Sequence, residues 1–174
     1  MIRPLLALLM VMLPSAALAQ NPISDAIRDG WDGAKGNMTR ATAAMPDAKF
    51  GFKPVDTVRT FGQIVAHVAG ANYIFCAAAR GEKAPFSEDH FEKTATTKVA
   101  IAKALADSMA YCDAAYQSLD DRRAAEVVAA PFGSGKSARA SALMGNTGHL
   151  QEHYGNLVTY LRINGIVPPS SSGQ

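Results

Sequence analysis

Apolar residues return every third or fourth position through four long stretches of this chain, and that period leaves little choice of fold. In the first stretch, Ile27, Trp31, Ala34, Met38, Ala41 and Met45 follow at steps of four and three. Such steps lay a stripe along one side of a helix, whereas a half-buried strand needs strict alternation. Pro22 suits a first turn, Asn21 or Ser24 can cap it, and Pro46-Asp47 ends it. A second helix starts near Thr57 or Thr60 and stops at Gly81, with Ile64, His67, Ala71, Ile74 and Ala78 on its stripe. A third runs from about Ala95 to Leu119, with Ala102, Leu105, Met109, Cys112, Tyr116 and Leu119 inward. The fourth starts near Ser137 and ends at Asn164-Gly165, with Leu143, Asn146, Leu150, His153, Leu157 and Tyr160 inward. Ala124 to Ala130 reads as a short turn or strand. The fold class is all-α, a four-helix bundle.

The long connection between the second and third helices carries topological information. A helix of ~20 residues is ~30 Å long. The stretch from Gly81 to Lys93 can reach ~43 Å. It can return along the bundle, which permits those two helices to be parallel.

Residues 1–19 read as a secretory signal peptide and not as part of the fold. Met1-Ile2-Arg3 is basic, Leu5 to Leu13 is an apolar run too short to span a bilayer, and Ala17-Leu18-Ala19 supplies a cleavage site before Gln20. The expected location is the periplasm or the exterior. The bundle then occupies residues 20–169, and residues 170–174 form a loose, disordered tail after Val167-Pro168-Pro169. Loss of Arg3 brings the 17 basic and 15 acidic residues of the full chain to a net charge of about +1. With no basic run or basic–aromatic stripe, nucleic acid is excluded as a partner. No remaining stretch reads as a membrane span, so no membrane contact is expected once the leader is gone.

His149 and His153 stand four apart on the last helix, so their imidazoles share one face. His67 lies on an apolar stripe of the second. A single histidine on such a stripe is ordinarily a hydrogen-bonded core residue. Three on inward faces are another matter, because burying them separately leaves several donors and acceptors to satisfy. A shared divalent metal satisfies three acceptor nitrogens at once, and three protein ligands with a fourth position open is the layout of a catalytic zinc-type site. His90, among Glu88, Asp89 and Glu92, reads as solvated surface. Glu152 and Tyr154 are the candidate acid–base groups. Gln63 and Asn146 are placed to hydrogen-bond a free imidazole nitrogen.

His149-Leu150-Gln151-Glu152-His153 also matches H-x-x-E-H, a metallopeptidase signature. That architecture takes a further acidic ligand from downstream, and no Asp or Glu follows Glu152. The peptidase reading falls on that absence.

Taken together, Phe52-Lys53-Pro54, the run Thr60-Phe61-Gly62-Gln63-Ile64-Val65-Ala66-His67, the pair His149 and His153, and the run from Tyr160 to Pro169 resemble the DinB-like superfamily of four-helix-bundle proteins. The resemblance spans essentially the whole mature chain. It implies an up-down-down-up bundle, a divalent metal, zinc or nickel, held by His67, His149 and His153, and in many members a homodimer. It implies a metal-dependent enzyme acting on a small molecule, by hydrolysis or by thiol or group transfer. Members with known activity include thiol-dependent transferases and an isomerase that uses a low-molecular-weight thiol. The leader departs from that pattern, because cytosolic thiol cofactors are scarce outside the cytoplasm. The alternative is a non-catalytic metal-binding or stress-related helical binding protein.

Cys76 and Cys112 are an even pair in a chain read as exported, which raises the prospect of a disulfide. In parallel helices they sit at similar height. Yet Cys76 is nine residues from His67, ~900° around the helix and so on its opposite side. Two separate buried thiols are the leading reading, with the disulfide as the alternative.

Overall fold

The second long helix is fixed at both ends by its own sequence. Thr60 accepts a hydrogen bond from the Gln63 amide at 3.2 Å, and the Gln63 side chain accepts one from the Thr60 amide at 2.8 Å. This reciprocal box satisfies two orphan donors of the first turn. At the other end Gly81, with φ of 74°, takes the left-handed conformation that terminates the helix. The computed structural model describes residues 20–172. The signal peptide expected over residues 1–19 lies outside these, as do the last two residues of the tail.

In chain order the elements are α1 (Pro22–Ala44), a 3-10 turn (Asp47–Lys49), α2 (Phe61–Arg80), α3 (His90–Thr94), α4 (Lys98–Gln117), α5 (Asp121–Ala124), strands β1 (Val127–Ala129) and β2 (Lys136–Ala138), and α6 (Arg139–Ile163). The four long helices are those read from the stripes, with ends shifted by at most four residues. The strands pair antiparallel, Val127 opposite Ala138 and Ala129 opposite Lys136, around a turn in which Gly133 has φ of 74°. Three-residue strands give too short a pattern to register as alternation, so only the first was legible. Asn21 stands at the N-cap position of α1, but neither its side chain nor that of Ser24 caps the first-turn amides. The Asp121 carboxylate does so across the bundle, accepting from the Ser24 amide at 2.8 Å.

Pairwise contacts fix the directions. Asn72 bonds Ser108 at 3.0 Å, and Cys76 lies beside Cys112, four residues further along both helices, so α2 and α4 are parallel. Tyr160 donates to the Arg59 carbonyl, and Arg139 donates to the Ala79 carbonyl, so α6 runs against α2. Trp31 and Lys35 both donate to Asp113, while Lys98 donates to the Met45 carbonyl, so α1 opposes α4. The bundle is therefore up-down-down-up. Trp31 stacks on Tyr116 with ring centroids 4.5 Å apart, and Tyr116 donates to the Leu143 carbonyl, tying three helices through one aromatic pair.

Cys76 and Cys112 form a disulfide, with Cα atoms 5.3 Å apart. This corrects the reading of two separate thiols. The angular argument took the His67 stripe as the side facing the bundle axis. In fact Phe61, Val65, Val68, Ala69, Cys76 and Ala79 enter the joint core. At ~100° per residue they lie roughly 100–200° around from His67. His67 faces sideways, toward α6 and the connection that follows α2. Being opposite His67 therefore carries Cys76 toward α4. α2 also meets the length and hydropathy of a membrane span, contrary to the sequence reading, but 83% of that window is buried inside the bundle. The tail is not loose over its described part. Pro168 and Pro169 are buried, and Ser170 exchanges hydrogen bonds with the Tyr154 hydroxyl at 2.8 and 2.9 Å.

Candidate metal centre

Three histidines from two antiparallel helices meet where α2 and α6 face each other. His67 comes from the second turn of α2, and His149 and His153 from successive turns of α6. The Nε2 atom of His149 lies 3.1 Å from Nε2 of His67 and 3.1 Å from Nε2 of His153. Two ligand atoms each ~2.1 Å from one ion can be no more than ~4.2 Å apart. The convergence fits a divalent cation. His67 and His153 are only 6% and 9% exposed, and His149 is half-buried.

The chemistry of the donor set fits as well. Burial first, then the neighbouring His153, His67 and Arg59, pushes His149 down to about 3. Burial and His67 lower His153 in the same direction. Both rings are neutral near pH 7, so each keeps a lone pair. His149 Nδ1 is buried without a hydrogen-bond partner, and a pair of neutral Nε2 atoms at 3.1 Å can share only one proton. A cation at the centre relieves that crowding of lone pairs.

Two carboxylates that sequence reasoning passed over stand beside His67. Glu92 of α3 places Oε1 3.2 Å from His67 Nδ1, and its Oε2 accepts from Arg59 Nε at 2.9 Å. The geometry there is not that of a hydrogen bond, but a carboxylate beside Nδ1 favours a proton on that nitrogen and a free lone pair on Nε2. Arg59 is held in turn through its carbonyl, which accepts from Tyr160 at 2.7 Å. Glu88 places Oε1 3.6 Å from the other nitrogen, Nε2. On the far side the amide of Asn156 is 3.4 Å from His153 Nδ1. With its oxygen turned to the ring it accepts Nδ1–H and frees Nε2. The Phe75 ring lies 5.8 Å from the His149 ring and packs edge-on against Phe132 of the hairpin loop. A cavity of ≈ 540 Å³ bordered by Pro54, Val58, Arg59, Ile64 and Tyr160 reaches His153, and a second of ≈ 500 Å³ reaches Glu92.

The remaining residues singled out from sequence do not gather here. Glu152 is exposed, and the Tyr154 hydroxyl is taken up by Ser170. Gln63 serves the α2 cap. The Asn146 amide lies 3.6 and 3.7 Å from the two disulfide sulfurs and 3.3 Å from the Tyr116 hydroxyl, not against an imidazole. His90 is not free surface. It opens α3, stacks on Phe86 with ring centroids 4.6 Å apart and packs edge-on against Phe91. The only sequence hint of Glu88 and Glu92 was an acidic cluster in the long connection, and no spacing ties such a cluster to His67.

The family model of the DinB superfamily matches residues 31–157. The chain belongs to the DinB superfamily. Among solved structures, a DinB-like protein from Bacillus cereus ATCC 10987 has a TM-score of 0.65 at 14% identity, over 83% of this chain and 95% of that one. YfiT from Bacillus subtilis, described as a probable metal-dependent hydrolase with an unusual four-helix bundle topology, has a TM-score of 0.64 at 15% identity, over 89% and 94%. A mycothiol-dependent maleylpyruvate isomerase has a TM-score of 0.61 at 16% identity, over 77% of this chain and 60% of that protein. At these identities the likeness is one of fold. No curated protein matches the sequence. The DinB fold thus places a three-histidine group between α2 and α6 of this chain.

Proposed function

We propose that this DinB protein is an exported metal-dependent hydrolase of small molecules, with zinc or nickel held by His67, His149 and His153. The observation that carries the reading is the meeting of three Nε2 atoms, two of the separations being 3.1 Å, in a partly buried site beside a cavity. A divalent cation there supplies a Lewis acid near neutral pH. The protein's part is to hold three neutral imidazoles in place. Glu92, steadied by Arg59, sits against His67 Nδ1, while Phe75 and Phe132 shield the His149 side. The cavity reaching His153 offers apolar walls from Pro54, Val58 and Ile64, with Arg59 and Asn156 as polar anchors. The likeness to YfiT favours hydrolysis among the chemistries open to such a site. Export is supported by the leader and by the Cys76–Cys112 disulfide, since disulfides persist in oxidising compartments. That setting disfavours transfer to a cytosolic thiol.

The test is a hydrolysis screen of the mature chain against small esters, lactones, amides and phosphoesters. Each is assayed metal-free and after return of zinc or nickel. Metal-dependent turnover that disappears in His153→Ala supports the reading. One bound metal per chain with no turnover on any class contradicts it and favours a non-catalytic metal protein.

A further inference from the structure

The connection between α2 and α4 does more than span the bundle. It comes down on α2 at Gly70, one turn beyond His67. A Cβ built on Gly70 would lie 2.0 Å from the Glu88 carbonyl oxygen, a separation no side chain tolerates. Only glycine lets the backbone of this strap seat so closely. The seat is reinforced by Tyr73, whose ring packs edge-on against Phe86 at 5.0 Å and lies 5.8 Å from Phe91. Seating the backbone at residue 88 fixes where the Glu88 side chain starts, and its Oε1 reaches 3.6 Å from His67 Nε2. That is the nitrogen turned toward His149, whereas Glu92 addresses Nδ1. Among the described residues, His67 is the one ion-pair-type partner within 4 Å of the Glu88 carboxylate. Its neighbour Asp89 is engaged elsewhere, with Lys93 and Ser87.

We propose that Glu88 is a fourth protein ligand of the metal centre, delivered by the strap seated on Gly70. The proposal rests on the three-histidine reading above. A separation of 3.6 Å is within the ~4.2 Å that two atoms bound ~2.1 Å from one ion can span. As placed, the Glu88 carboxylate stands by His67 and outside the three-histidine group; its side chain is 40% exposed, and ligation requires it to swing toward the other two imidazoles. Three neutral imidazoles and one carboxylate leave a divalent ion with a single net positive charge, and zinc can add a fifth ligand during reaction. The strap thereby links metal occupancy to the order of residues 82–97.

The test compares zinc affinity of metal-free wild type, Glu88→Ala, Asp89→Ala and His153→Ala by competition with a chromophoric chelator. Far-ultraviolet dichroism checks that each is folded. The expected result is one zinc per chain in wild type, a loss of ~10-fold or more in affinity for Glu88→Ala, and wild-type affinity for Asp89→Ala. The proposal is overturned if Glu88→Ala binds within twofold of wild type while His153→Ala does not bind, which leaves the three-histidine reading intact. It is equally overturned if Asp89→Ala loses as much as Glu88→Ala, since loss of local negative charge would then suffice. Wild type that binds no zinc removes the three-histidine reading and the strap ligand together.

Discussion

Replacing Cys76 and Cys112 together by alanine opens a loop whose ends are 36 residues apart in sequence. In the chain-entropy account, closing a loop of that length removes ~13 cal/mol/K from the unfolded ensemble, or ~4 kcal/mol at 25 °C. Both cysteines are fully buried, and the bond joins parallel helices that no short turn connects. The cross-link therefore restrains a pairing that depends on a long connection to form. For a chain of this size ~4 kcal/mol corresponds to a melting point lower by ~8–16 °C. The assay is urea unfolding of the oxidised wild type and the double variant, with thiol titration of the denatured wild type. No free thiol and a stability loss near 4 kcal/mol are expected. A double variant within ~1 kcal/mol of wild type, or two free thiols in protein recovered from an oxidising compartment, would refute the reasoning.

The metal-free protein should lose stability on acidification. The folded-state pKa of His149 is about 3 against an ordinary 6.5, and that of His153 is shifted the same way, so the unfolded chain binds more protons below pH 6.5. Their contribution is complete above ~6.5 and is lost as pH falls toward ~3, and urea midpoints at pH 7.5, 6 and 5 should decline in that order. His149→Ala should flatten the decline, whereas a midpoint that rises on acidification contradicts the assignment. Thr60→Ala removes the hydroxyl that caps α2 and should cost ~1 kcal/mol in thermal or urea unfolding, with an unchanged value arguing against the box.

The stripe from Ile27 to Met45 was fully legible because α1 has one inward face, and every residue on it is buried. The same holds for Leu143 through Tyr160 on α6. α2 was harder, because it is covered almost all round and any chosen stripe along it looks apolar. Its period located His67 correctly in sequence but gave the wrong direction for the bundle axis, and the disulfide was misjudged on that account. Glu92 and Glu88 reach His67 from the strap seated on Gly70, and Arg59, held by its bond from Tyr160, reaches Glu92 from another segment. Such long-range placements have no period to read. Tyr154 and Glu152 show the converse, since closeness in sequence to His153 drew attention that their contacts with Ser170 and solvent do not sustain.

Everything proposed for this protein requires that His67, His149 and His153 hold a metal. The direct measurement is elemental analysis of the mature chain, expressed to an oxidising compartment and purified without chelators or a histidine tag. About one divalent ion per chain, absent from folded His67→Ala and His153→Ala, is the predicted result. A folded, disulfide-bonded wild type with no stoichiometric metal, and none taken up on addition of zinc or nickel, would contradict it.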